Sequence, residues 1–235
     1  MELKIEEVKE FYEQIEEVWP KDDKWHQYSK NQILQYIARI KYGKSVYLLN
    51  AGSGGSNYGL SQKMMHLDIA ENKINCFPEY TVSSIEDMPF KENTFTDIIC
   101  VGSVINYCDA IAAIHEFSRV LLSGGSLVLE FESSWGYEHR KSSCYKQDAD
   151  IAQLPYFGEL HSQWLYSPKY ISNILKMEGF NINNEYRFHY LSGISFSKCQ
   201  DENKAAKYVE FDSLCRIIPF IKQHSNNVIF SCIKL

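Results

Sequence analysis

Val46-Tyr47-Leu48-Leu49-Asn50-Ala51-Gly52-Ser53-Gly54-Gly55-Ser56-Asn57-Tyr58-Gly59 passes from an apolar run straight into clustered glycines. The apolar part reads as a buried strand. Glycine immediately after such a strand permits a tight turn and lets a ligand approach the main chain without meeting a Cβ. Loops of this kind serve several nucleotide-like cofactors, so the flanking sequence has to decide among them.

Upstream, Leu3, Val8, Tyr12, Ile15 and Trp19 recur at mostly three- and four-residue steps among glutamates, which predicts an amphipathic helix stopped by Pro20. Ile33, Leu34, Ile37 and Ile40 predict a second helix that Gly43 ends. Downstream, short apolar runs at Met64–Asp68, Tyr80–Val82, Asp97–Val101 and Leu127–Phe131 alternate with helical patterns at Glu71–Phe77 and Ala110–Leu122, the latter with Ile111, Ile114, Phe117, Val120 and Leu121 on its buried side. Such alternation implies a parallel sheet covered on both faces, with the ligand at the carboxyl ends of the strands.

Ser133 to Glu159 breaks the rhythm, being polar and aromatic without clear periodicity, and reads as an insertion or lid. Pro168 then opens a helix that Gly179 stops, and a strand from Phe180 to Tyr190, a helical stretch from Asn203 to Lys222 and a strand from Val228 to Ile233 follow. No internal repeat or low-complexity linker interrupts the chain. We therefore expect one domain: a helical cap over 1–43, a cofactor-binding core over 46–132, a lid over 133–160 and the rest of the sheet over 161–235.

Composition narrows the function classes. A hydrophobic content of 45% supplies a full core, and a formal charge of -6 offers no general attraction to nucleic acid or anionic lipid. Seven scattered cysteines without a Cys-x-x-Cys pair suit reduced thiols better than a disulfide frame or a zinc site. The acidic amino terminus is unlike a signal peptide, and no apolar stretch reaches membrane-spanning length, so a cytoplasmic location is expected. Oligomeric state is not legible.

A dinucleotide site favours Gly-x-Gly-x-x-Gly with an acid about 20 residues on. Here the third glycine position holds Asn57, and His66-Leu67-Asp68-Ile69 brings the acid only 13 positions after Gly55. Together with Leu48–Gly54 as a cofactor loop, Ser84-Ile85-Glu86-Asp87-Met88-Pro89-Phe90, Phe95-Thr96-Asp97-Ile98-Ile99 and Arg119-Val120-Leu121-Leu122-Ser123-Gly124-Gly125, this order resembles the class I S-adenosylmethionine-dependent methyltransferases. Ser167 to Phe180 and Asn227 to Lys234 are similar to the last helix and antiparallel strand of that family. The resemblance implies an α/β, Rossmann-like, doubly wound and mostly parallel seven-stranded sheet with an antiparallel last strand.

It also implies S-adenosyl-L-methionine as cofactor, held by Asn50, Ala51, Gly52, Ser53 and Gly54 in the loop, Asp68 and Ile69 at the ribose, Ser84, Ile85 and Glu86 beside the adenine, and Gly102 and Ser103 along the methionine moiety. Two departures stand out. Asn50 replaces the family's usual acid, and the interval from Gly55 to Met64 holds one or two helical turns at most. Asp97 begins its strand at the end away from the ligand and reads as structural.

Methyl transfer needs alignment above all, and a general base only where the acceptor must lose a proton. Candidates near the reacting centre are Tyr107 after the fourth strand, Glu132 at the end of the fifth, and His139 and His161 around the lid. The sequence shows no compact acidic or histidine-rich metal pattern, so no metal is expected. The function expected is methyl transfer to a small-molecule acceptor, and the alternatives are a non-catalytic cofactor-binding or protein-interaction module and, more distantly, a nicotinamide oxidoreductase.

Overall fold

The computed structural model describes residues 5–43, 46–199, 201–215 and 218–235. Helices α1 (Ile5–Gln14) and α2 (Lys24–Ile37) come first, and Asp23 caps α2 by accepting from the Trp25 and His26 amides at 2.9 and 3.0 Å. The chain then lays down β1 (Tyr47–Ala51), β2 (Lys63–Asp68), α3 (Glu71–Ile74), β3 (Tyr80–Val82), β4 (Phe95–Cys100), α4 (Ala110–Val120) and β5 (Leu121–Glu132). A hairpin of β6 (Ala149–Tyr156) and β7 (Glu159–Tyr166) precedes α5 (Pro168–Met177), β8 (Phe180–Phe188), α6 (Leu191–Cys199), three short helices α7 (Glu202–Ala205), α8 (Asp212–Cys215) and α9 (Pro219–Lys222), and β9 (Asn227–Lys234).

Seven strands form one sheet in the order β3-β2-β1-β4-β5-β9-β8, parallel except where β9 runs antiparallel to both neighbours. The expected fold class is therefore the observed one. Strand alternation explains how the sheet is covered: Leu49, Ile98 and Leu127 join the core packed by α4 and α5, while their neighbours Leu48, Ile99 and Val128 join Ile33 and Ile37 of α2 on the other face. Strand order reverses between β1 and β4, and a crevice opens at their carboxyl ends there.

Several expected boundaries move. The first helix ends at Gln14 rather than running to Pro20, and Leu3 lies outside the described residues. Ile111, expected on the buried side of α4, is 53% exposed because Ala110, Ala113, Ile114, Phe117 and Val120 already complete the packed stripe. The expected lid at 133–160 is largely ordered: β6 pairs in register with β7 and carries the element on to Tyr166. The helix expected over 203–222 is a series of short pieces, and α6 stands before it. Among the described residues, no helix is long and apolar enough to cross a membrane.

Candidate functional site

Past β1 the chain turns through Gly52, Gly54 and Gly55 at φ +72°, +51° and +79°. The Gly52 and Ser53 amides donate to the Leu67 carbonyl at 2.8 and 3.1 Å, which pins the turn onto the end of β2. A Cβ on Gly52 would stand 2.4 Å from Val104 Cγ1, so this position combines a left-handed backbone with no room for a side chain. Asp68 closes β2 beside the turn. Its Oδ2 accepts from the Gly54 amide at 2.8 Å and its Oδ1 from the Ala70 amide at 3.0 Å, so loop and acid are one rigid unit. Burial pushes the Asp68 carboxyl up, against the pull of these amides and Lys73.

Opposite, Gly102 and Ser103 leave β4 at φ +85° and +58°. Both amides donate to Glu130 Oε2, at 2.8 and 2.7 Å, while Glu130 Oε1 accepts from Asn227 Nδ2 at 2.8 Å. A fully buried carboxylate on β5 thus shapes the β4 turn. Gly52, Asp68, Ile69, Ile85 and Gly102 border a cleft that encloses about 80 Å³, and Ile5, Val8 and Tyr12 of α1 form its roof.

A second chamber of about 430 Å³ adjoins it and shares Tyr12, Trp19, Gly102 and Tyr107 as a common wall. Four carboxylates line this chamber, from Glu130, Glu132, Glu138 and Glu202, against Lys141 and the imidazoles of His26 and His139. Asn106 fixes the Glu132 backbone from both sides, accepting from its amide at 2.9 Å and donating to its carbonyl at 3.0 Å. Desolvation, then Glu138, holds the Glu132 carboxyl well above the usual range. Burial likewise pushes Glu202 up to about 7. Burial opposes protonation of His139, yet Glu138, with its Oε1 2.9 Å from Nε2, raises its affinity for a proton overall.

The structure gathers most of the expected cofactor residues. Gly52, Ser53, Gly54, Asp68, Ile69, Ser84, Ile85 and Gly102 line the cleft, and Ser103 lines the chamber. Asn50, Ala51 and Glu86 stand back from it. The Asn50 amide donates to the Ser56 carbonyl at 2.7 Å and so braces the loop from within; Ala51 is fully buried in β1. Glu86 accepts from the Asp109 amide at 2.6 Å and from Ser84 Oγ at 3.1 Å, tying this turn to the start of α4.

Of the expected catalytic residues, Tyr107 faces both cavities, and Glu132 and His139 face the chamber. His161 does not line either: its ring lies 4.1 Å from that of Phe11, where β7 packs under α1. Sequence reasoning missed Glu130, Tyr12, Gln163 and Glu202. Glu130 and Glu132 alternate within Leu127-Val128-Leu129-Glu130-Phe131-Glu132, and that period of two signals two acids on one face of a buried strand. The fold also brings donor atoms of Glu132, Glu138 and His139, and of Asp23, His26 and Glu202, within 4.8 Å of one another, groupings that the sequence did not display as compact patterns.

The family model described as a methyltransferase domain matches residues 43–129. The uncharacterized protein MJ1252 of Methanocaldococcus jannaschii is 24% identical over 196 residues, which cover 74% of this chain and 76% of that protein. Among solved structures, geranyl diphosphate C-methyltransferase from Streptomyces coelicolor A3(2), in complex with Mg2+, geranyl diphosphate and S-adenosyl-L-homocysteine, superposes with a TM-score of 0.62 at 11% identity, covering 98% of this chain and 97% of that one. A SAM-dependent methyltransferase from Methanosarcina mazei gives 0.57 at 16% identity, covering 85% and 97%. At these identities the two structures establish a likeness of fold.

Proposed function

We propose that the chain is a class I S-adenosylmethionine-dependent methyltransferase, a reading supported by the methyltransferase-domain match over residues 43–129, and that it transfers a methyl group from S-adenosyl-L-methionine to a small-molecule acceptor. The observation that carries this reading is the wall of Tyr12, Trp19, Gly102 and Tyr107 common to the glycine-lined cleft and the larger chamber. A cofactor whose purine and ribose lie in the first and whose methionine end passes Gly102 and Ser103 into the second can meet an acceptor there.

The donor set suits this cofactor. Asp68 keeps unused lone pairs on a desolvated carboxylate, which suits a ribose diol, and Ile69 and Ile85 offer apolar surface for a purine. When bound, S-adenosylmethionine supplies a methyl carbon already made electrophilic by its sulfonium. The chain has to align an acceptor with that carbon and exclude water, and alignment contributes up to roughly 7–11 kcal/mol. Tyr107 and Glu132 are the groups set to touch the acceptor; Tyr107 is oriented by donation from Gln163 Nε2 at 2.8 Å, and Glu132 has the proton affinity of a general base near neutral pH.

Titration calorimetry with S-adenosylhomocysteine, together with transfer of a labelled methyl group, tests the reading. Asp68→Ala should weaken cofactor binding about tenfold or more, the worth of a charge-assisted hydrogen bond. Unchanged affinity in this variant removes Asp68 from the site, and no binding to the wild-type chain removes the cofactor.

A further inference from the structure

The chamber is built for positive charge. Its volume of about 430 Å³ falls within the roughly 300–1,000 Å³ of sites that hold an entire small ligand. Glu130 is committed to Gly102, Ser103 and Asn227, whereas among the described residues the Glu132 side-chain oxygens have a single donor, Ser103 Oγ at 3.5 Å. Gln163, 6% exposed on β7, adds an independent sign: its Nε2 is spent on Tyr107, while its Oε1 is buried without a hydrogen-bond partner. A carboxylate and an amide oxygen, both short of donors, call for a ligand that brings N–H groups and positive charge.

The other walls refine its chemistry. Tyr12, Trp19, Trp25, Tyr107 and Tyr156 line the same chamber, and aromatic faces attract a cation that keeps apolar substituents. An anionic acceptor would meet four carboxyl side chains with Lys141 as the one lysine or arginine among the lining residues, whereas a cation drawn beside Glu132 favours the ionised form that burial alone disfavours. A bare divalent ion is the competing occupant, because Glu132, Glu138 and His139 bring donor atoms within 4.8 Å of one another, but a lone ion would leave Gln163 Oε1 and the aromatic walls without a role.

We propose that the chamber binds a small primary or secondary amine through Glu132, Glu138 and Gln163 Oε1, and that the nitrogen of this amine is the methyl acceptor. This inference rests on the methyltransferase reading for its second half only. The ammonium gives one proton to the Glu132 carboxylate, and the N–H electron pair stays on nitrogen. That pair forms the new N–C bond while the pair of the breaking C–S bond leaves with sulfur. Positive charge passes from sulfonium to N-methylammonium, and Glu132 returns its proton to solvent.

Calorimetry with 2-phenylethylamine and a panel of primary and secondary amines of about 6–12 heavy atoms, against 2-phenylethanol and 3-phenylpropionate, tests the assignment with and without S-adenosylhomocysteine. At least one amine should bind tenfold or more tightly than its alcohol and carboxylate counterparts. Glu132→Gln should weaken that amine about tenfold while affinity for S-adenosylhomocysteine stays within about twofold. Equal binding of alcohol and amine, no amine binding across the panel, an amine affinity indifferent to Glu132→Gln, or saturable Mg2+ binding at Glu132 that excludes amines would overturn it. Because amine binding is read on the cofactor-free chain too, failure to bind S-adenosylhomocysteine refutes the methyltransferase reading alone, whereas cofactor binding without amine binding refutes this one alone.

Discussion

His66 shows how one side chain sets a pH limit on this fold. It sits on β2 with its ring stacked 3.6 Å from that of Phe77, and its Nδ1 is buried without a partner. Burial lowers its pKa from 6.5 to about 4. Between those values the unfolded chain takes up a proton that the folded chain refuses, so the stability contributed is complete above pH 6.5 and is lost as pH falls toward about 4. His66→Phe keeps the stack and removes the titration; urea unfolding should show the variant losing less stability than the wild type between pH 7 and pH 4, by up to about 3 kcal/mol. An identical pH slope in the two proteins would place the acid sensitivity elsewhere. At this scale the place of Asp68 beside the glycine turn was legible, because an acid that ends the next apolar strand stands at the same end of the sheet as the turn. Asn50 misled, because nothing local in the sequence says that its amide turns inward to Ser56. His161 misled for the same kind of reason: its neighbour Phe11 lies 150 positions away.

Elements were legible where the signal was local and veiled where it came from afar. The central strands β1, β4, β5 and β9 carry apolar runs, yet α6 begins in Leu191-Ser192-Gly193, a poor start signal. Its cap comes from another element: Asp212 accepts from the Tyr190, Leu191 and Ser192 amides at 3.1, 2.7 and 3.0 Å and from Ser192 Oγ at 2.8 Å. The β6–β7 hairpin was hidden differently. Its two-residue turn is Phe157-Gly158 at φ +51° and +80°, a type I′ geometry usually marked by Asn-Gly. Removing the remote cap by Asp212→Ala should cost about 2–3 kcal/mol, because three amides and a hydroxyl lose one acceptor together. For a chain of this length that is a melting temperature lower by about 5–10 °C in a calorimetric scan. A change within about 1 °C would mean that water or a neighbour replaces the carboxylate.

Across the whole molecule, the parts that the sequence separates most widely meet at the roof of the site. The segment 5–19 covers both cavities, yet side chains hold much of it in place: Asn72 Nδ2 donates to the Glu13 carbonyl at 2.7 Å from α3, and the Tyr156 hydroxyl to the Val18 carbonyl at 2.6 Å from the hairpin. Tyr12 meets Tyr107 at 3.4 Å between their hydroxyls, so the roof reaches the wall that the two cavities share. Such a segment opens at lower free energy than the sheet beneath it. A ligand held under the roof stabilises the closed form by mass action, so S-adenosylhomocysteine should slow amide exchange in residues 5–14 and 149–166 together, with little change in β8 and β9. Tyr156→Phe removes one hydroxyl bond at the hairpin side of the roof. Stopped-flow measurement should then show faster ligand release, by about three- to tenfold, which is the kinetic equivalent of roughly 1 kcal/mol. Protection confined to the glycine loop, with release unchanged in the variant, would mean that ligand leaves without the roof moving.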